Sequence, residues 1–221
     1  MNNLFSIFDP STSMLFSLNW LSLLIPMIYF PNQFWLKKSK NLIMFMMINN
    51  FLLNEFNKMF KKYKLILIIN LLTLFNMILF MNFLGMFPYI FTPSSHLCIT
   101  LPLSLTLWLS IMIFNWFKKT KKCFAHLVPL NTPPTLMIFM VLIETISTII
   151  RPLTLAIRLS ANMIAGHLLL CLLGSCGSFL KLNLIFLLYF TQILLFILEM
   201  AVSIIQSYVF MTLMSLYYNE L

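Results

Sequence analysis

Long apolar runs dominate this chain, and the few polar positions between them decide how it must be arranged. A hydrocarbon core about 30 Å thick is crossed by about 20 apolar residues in a helix. Five runs are candidates: Met14–Leu36, Leu65–Phe87, Leu97–Phe117, Thr135–Leu173 and Lys181–Leu216. Pro26 and Pro31 are set to kink or end the first, and Pro88 stops the second, because proline lacks the helical N–H and clashes with the preceding turn. Between these two runs, Lys37–Lys64 interleaves Leu42, Met46, Phe51 and Phe56 with Asn and Lys. That is the pattern of an amphipathic helix lying in the membrane interface. Gly174-Ser175-Cys176-Gly177-Ser178 is the clearest turn signal and folds the last two runs into an antiparallel hairpin. Helical throughout, Thr135–Leu173 would extend to roughly 60 Å at helical rise, so it either breaks at Pro152 or crosses strongly tilted.

The pattern therefore predicts an all-α polytopic membrane protein of about five transmembrane helices. The last two form a long tilted antiparallel hairpin, and amphipathic segments lie on the lysine side. Residues 1–134 hold the N-terminal membrane helices and amphipathic segments, and residues 135–221 the hairpin, in one integral membrane unit.

Composition excludes the main alternatives. Of 221 residues 61% are apolar and 9% charged, against roughly 45–50% and 25% in a soluble domain. A soluble globule of this make-up would expose apolar patches that soluble monomers avoid, and disorder requires low hydrophobicity. The net charge of +9 comes from 14 basic and 5 acidic residues, which could suggest nucleic acid. The lysines instead flank the apolar runs: Lys37, Lys38 and Lys40; Lys58, Lys61, Lys62 and Lys64; Lys118, Lys119, Lys121 and Lys122. That placement is a topology signal and puts both clusters on one side, the N-terminus and the Pro88–His96 loop on the other. No nucleic-acid role is expected.

Cys98, Cys123, Cys171 and Cys176 lack metal-ligand spacing and read as small buried hydrophobes. No P-loop is present, nor a pair of histidines facing across spans as haem would need, so no cofactor is expected. Met1–Asp9 lacks a positive n-region, so no cleavable signal is expected. The bias to Phe, Leu, Ile, Met, Asn and Lys matches A/T-rich codons, which points to an organelle genome. In a mitochondrion the lysines would lie in the matrix and the N-terminus in the intermembrane space.

Ionisable residues inside spans are costly, and each is a functional candidate by default. They are confined to the hairpin: Glu144, Arg151, Arg158, His167 and Glu199, with Glu220 near its end. In two antiparallel helices, residues whose numbers share a sum lie at one level. Glu144 with Glu220 and Arg158 with Gln206 share one sum, and His167 with Glu199 falls two higher. Three polar rungs result, the arginine rung separated from the other two by roughly 14 to 20 Å. Carboxylates and imidazole exchange protons near neutral pH, whereas arginine stays charged. The layout is a proton path broken in its middle by a fixed cation. No carboxylate of this chain shares the arginine's level, so a mobile carboxylate must come from a partner. The small residues after Arg158, Ser160, Ala161, Ala165 and Gly166, let another helix approach closely in lipid. His167, nine residues beyond Arg158, falls on the opposite face and looks into the chain. Arg151 before Pro152 reads as a snorkelling or carbonyl-capping cation, and His96 and His126 as loop surface residues.

These motifs resemble a known family. Arg158-Leu-Ser-Ala-Asn162-Met-Ile-Ala-Gly166-His167, preceded by Glu144-Thr-Ile-Ser-Thr-Ile-Ile-Arg-Pro152 and followed by Glu199-Met-Ala-Val-Ser-Ile-Ile-Gln206, is similar to subunit a of mitochondrial F-type ATP synthases. The resemblance implies a non-catalytic, proton-conducting stator subunit of the mitochondrial inner membrane. Its implied partners are a rotating c-ring, the other Fo and peripheral-stalk subunits, the bilayer and the transported proton. It implies Arg158 as the essential arginine, Glu199 and His167 along the entry half-channel and Glu144 along the exit. Asn162 and Gln206 match polar positions near the arginine, and Glu220 lies at the family's variable end. Two other classes compete: a self-contained secondary transporter, which should show inverted repeats and broken midplane helices, and a membrane scaffold of a respiratory complex, which would leave the rungs without a use.

Overall fold

The structure is a computed structural model describing residues 4–13, 16–29, 36–59, 65–118, 120–128, 133, 136–179 and 181–220. Within these helices the side chains of Tyr29, Leu65, Ile66, Lys122, His126, Phe179, Leu182, Asn183, Asn219 and Glu220 are outside the description, as are Lys61, Lys62, Lys64 and Lys119 entirely. Seven α-helices are described: α1 (Ile25–Tyr29), α2 (Lys40–Met59), α3 (Leu65–Gly85), α4 (Leu97–Lys118), α5 (Thr120–His126), α6 (Met137–Cys176) and α7 (Leu182–Glu220). Among the described residues, α3, α4, α6 and α7 are long and apolar enough to cross a membrane. The chain is an all-α polytopic membrane protein.

The first apolar run differs from the others. Its described part is a 3-10 turn, Leu18–Leu23, leading into the five-residue α1, which together give one shorter apolar stretch. Pro26 falls at the second position of α1, where the first helical turn tolerates its missing N–H. Pro31 and the rest of that run lie outside the described residues.

Proline acts differently in α6. The helix runs unbroken for 40 residues through Pro152, although an interior proline costs about 3 kcal/mol. Pro152, Leu155, Ala156, Leu159, Ser160 and Met163 are all buried, a continuous stripe at helical spacing whose burial offsets the lost hydrogen bond. At roughly 1.5 Å per residue, α6 and the 39-residue α7 each extend to about twice the hydrocarbon thickness. Of the two outcomes the sequence allowed, the break does not occur, and helices of this length cross by tilting.

The helices pack as a row: α4 on α6, α6 on α7, α7 on α3 and α3 on α2. One apolar core joins them, with Phe56 of α2, Phe75 and Ile78 of α3, Ile111 of α4, Leu155 and Leu159 of α6, and Phe210, Met211 and Met214 of α7. Ser203, Ser207 and Ser215 are buried on α7, and each hydroxyl donates to a carbonyl three residues back at 2.7–2.8 Å. Small side chains satisfied by their own helix let a neighbour approach closely without stranding a donor. The amphipathic segment forms α2, which turns Leu42, Leu52 and Phe56 inward and is tied to α3 by an Asn76 amide donating to Asn49 at 3.1 Å.

Candidate functional site

The two faces of α6 have opposite characters. The buried stripe faces the core, whereas Thr154, Ile157, Arg158, Ala161 and Ala165 are exposed on the other side. Among the described residues the Arg158 side chain has no hydrogen-bond or ion-pair partner. A guanidinium with five donors and no acceptor nearby, flanked by alanines that leave room around it, is a cation presented outward.

His167 and Glu199 lie on the inner side. Both line a cavity of about 350 Å³, together with Met86, Asn162, Gly166 and Val202. Glu199 is 7% exposed, and neither carboxyl oxygen has a hydrogen-bond partner; the same holds for the buried Nε2 of His167. Buried polar atoms are ordinarily bonded, and at about 30 Å³ per molecule this cavity has room for roughly ten waters to reach them. The Glu199 carboxyl rests directly on Gly166, where a Cβ would stand 2.8 Å from Cδ and 2.9 Å from Oε1. A side chain at this position would require the carboxyl to shift.

One turn beyond Arg158, the Asn162 amide donates to the Gln206 side-chain carbonyl at 3.0 Å. Gln206 is buried, and its partner is Asn162 rather than the arginine at its own level. Deeper in the hairpin, the Arg151 guanidinium lies over the Tyr217 ring, 5.3 Å from its centroid, a cation–π seat. Glu199 with Gly166 keeps the antiparallel register expected from the turn, whereas Gln206 with Asn162 and Tyr217 with Arg151 lie about one helical turn along from the level of the Arg158–Gln206 rung. Glu144 is half-buried on α6. Glu220 ends α7 in backbone terms, but its side chain lies outside the described residues, so the Glu144–Glu220 rung is not built.

The structure adds residues that pattern reading passed over. Asn82 of α3 is fully buried, and neither its amide nitrogen nor its oxygen has a partner; it sits one turn before Met86 of the cavity wall. Its only signal was its place among three Asn, Asn70, Asn76 and Asn82, spaced six apart in an otherwise largely apolar helix. His96 is also not the surface residue expected: its ring stacks on Phe91 at 5.2 Å and tilts against Trp20 at 5.3 Å, with Nε2 buried and unpartnered. His126 lies outside the described side chains. Among the described residues, no three His, Cys, Asp or Glu gather as a metal site.

Fold and site together define a multi-pass helical membrane protein whose ionisable chemistry is gathered in its last two helices, with one cation turned outward. Comparison with known proteins makes this particular. The ATP synthase A chain family matches residues 12–219. The sequence is 51% identical to ATP synthase subunit a of Aedes aegypti, across 100% of this chain and 99% of that protein. It is 50% identical to the protein of the same name from Artemia franciscana, across 100% of both, and 50% identical to that of Drosophila melanogaster, across 100% and 99%. The chain belongs to the ATP synthase A chain family.

Proposed function

We propose that this chain is the proton-conducting stator subunit of the ATP synthase membrane sector in the mitochondrial inner membrane, with its N-terminus in the intermembrane space. In this reading a proton enters past His167 and Glu199 and neutralises a carboxylate on a rotating c-ring. A neutral carboxyl crosses lipid without the cost of a bare charge. After rotation the carboxyl releases its proton toward Glu144, with Glu220 on the same rung. Arg158 attracts the deprotonated carboxylate between these events and, because it does not give up its own proton, blocks direct leakage. Asn162 and Gln206 hold the polar wall between arginine and cavity. The chain itself performs no catalysis; the driving force is about 2.3 kcal/mol per proton per 100 mV.

The observation that carries the reading is the closeness on α6 of an outward, unpaired Arg158 to a cavity that holds His167 and Glu199 and whose wall takes in Asn162 and Ala165 of the arginine's own side. A fixed outward cation beside a buried acid and an imidazole suits a carboxylate carrier shared with a second subunit. A transporter with its own substrate site would hold its cation and acids around one cavity. The test is proton uptake by liposomes containing the chain with and without the c-ring under an imposed potential. Conduction only in the assembled sector supports the proposal, and equal conduction by the chain alone overturns it.

A further inference from the structure

The N-terminal 3-10 turn Leu4–Phe8 packs against α6. Its Phe8 ring stands edge-on to the His167 imidazole, centroids 6.4 Å apart and planes at 83°. Leu4, Phe5 and Ile7 of the same turn are exposed, whereas Phe8 is half-buried. A turn that spends three apolar side chains on the outside and one on an imidazole is anchored by that one. The chain after it is held by its own hydrogen bonds. The Ser11 N–H donates to the Asp9 carboxylate at 3.2 Å, the Asn19 amide to the Asp9 carbonyl at 3.2 Å, and the Thr12 hydroxyl to the Phe16 carbonyl at 2.9 Å. The turn is thus held at its C-terminal end. His167 needs such support: with Nε2 unpartnered, packing sets the orientation of its ring there, and aromatic edge contacts are directional.

We propose that the Leu4–Phe8 turn caps His167 on α6, with Phe8 as the positioning residue that holds the imidazole for proton exchange with Glu199. This rests on reading the cavity as a proton path. Asp9, next to Phe8, is exposed, and the Ser11 N–H holds its carboxyl below the usual carboxylate range. The titratable groups around this cap are His167 and Cys171 on α6, Glu199 on α7 and His96 beside Trp20, in the turn that carries Asn19.

The test uses the assembled ATP synthase in liposomes, with the synthesis rate followed against pH on the entry side. Phe8→Ala should lower the rate about two- to tenfold, the factor expected for one lost aromatic contact, and should move the midpoint of the pH profile. Phe8→Tyr, which keeps the ring edge, should restore both, and Phe5→Ala, at an exposed position of the same turn, should leave both unchanged. If Phe8→Ala fails to assemble, Phe8→Leu gives the same reading, with a smaller shift in the same direction. A Phe8 variant that assembles with the wild-type rate and profile overturns the cap, as does an equal loss in Phe5→Ala. Glu199→Gln in the same preparation separates the two levels: a normal rate there removes the proton-path reading itself, whereas a dead Glu199→Gln beside a normal Phe8→Ala removes only the cap.

Discussion

Gly166 and Glu199 are in direct contact across the hairpin, with space for no side chain between them: a Cβ on Gly166 would lie 2.8 Å from the Glu199 carboxyl carbon. Gly166→Ala must therefore displace the carboxyl from its present position beside the cavity. We expect coupled ATP synthesis to fall about tenfold, because a misplacement of about 1 Å in a reacting group is costly. The complex should still assemble, since the displaced acid moves into open volume. Wild-type synthesis in Gly166→Ala would mean that the position of Glu199 does not matter.

Arg158→Ala should abolish synthesis while leaving assembly largely intact, because the residue faces outward and takes no part in the core. Arg158→Lys should rescue poorly, since a buried ammonium gives up its proton where a guanidinium does not. Native gels and synthesis rates of the two variants check both halves, and a synthesising Arg158→Ala would remove the arginine from the mechanism.

The Asn162–Gln206 hydrogen bond predicts coupling between the two positions. Asn162→Leu and Gln206→Leu should each destabilise the complex, and the double variant by less than their sum. The interaction energy should be about 0.5–1.5 kcal/mol, the net worth of one such bond. Strict additivity in thermal unfolding would show that the amides act separately.

Sidedness follows from the order of the rungs along α6. In a background lacking Cys98, Cys123, Cys171 and Cys176, Glu199→Cys should react with an impermeant thiol reagent from the intermembrane side. Glu144→Cys should react from the matrix side. Labelling of both from one side would contradict two offset half-channels.

Asn82 supplies a prediction about stability alone. Its amide is fully buried and unbonded, which costs about 1–3 kcal/mol. Asn82→Leu, which keeps the branched outline of the side chain with apolar atoms, should raise the unfolding temperature of the detergent-solubilised complex. A lower temperature would show that the amide is satisfied by water in the assembled protein.

The class of the protein, four of its long helices and the hairpin were legible in the sequence, because each rests on a local quantity. Apolar run length against bilayer thickness set the spans. The glycine–serine turn set the antiparallel pairing, and that pairing alone predicted that Glu199 meets the helix near His167. The opposite facing of Arg158 and His167 follows from their spacing of nine residues, and α6 presents them that way. What the chain alone did not determine depends on packing between segments distant in sequence. Pro152 leaves α6 unbroken because the buried stripe that begins at it holds the helix, a fact visible only once α4 and α7 are in place. The partner of Gln206, the close approach of Glu199 to Gly166, the enclosure of His96 between Trp20 and Phe91, and the seat of Phe8 on His167 are contacts that no periodicity encodes. Helical pitch and hydropathy act along the chain, whereas side-chain volume acts across it, and only the folded bundle brings those volumes together.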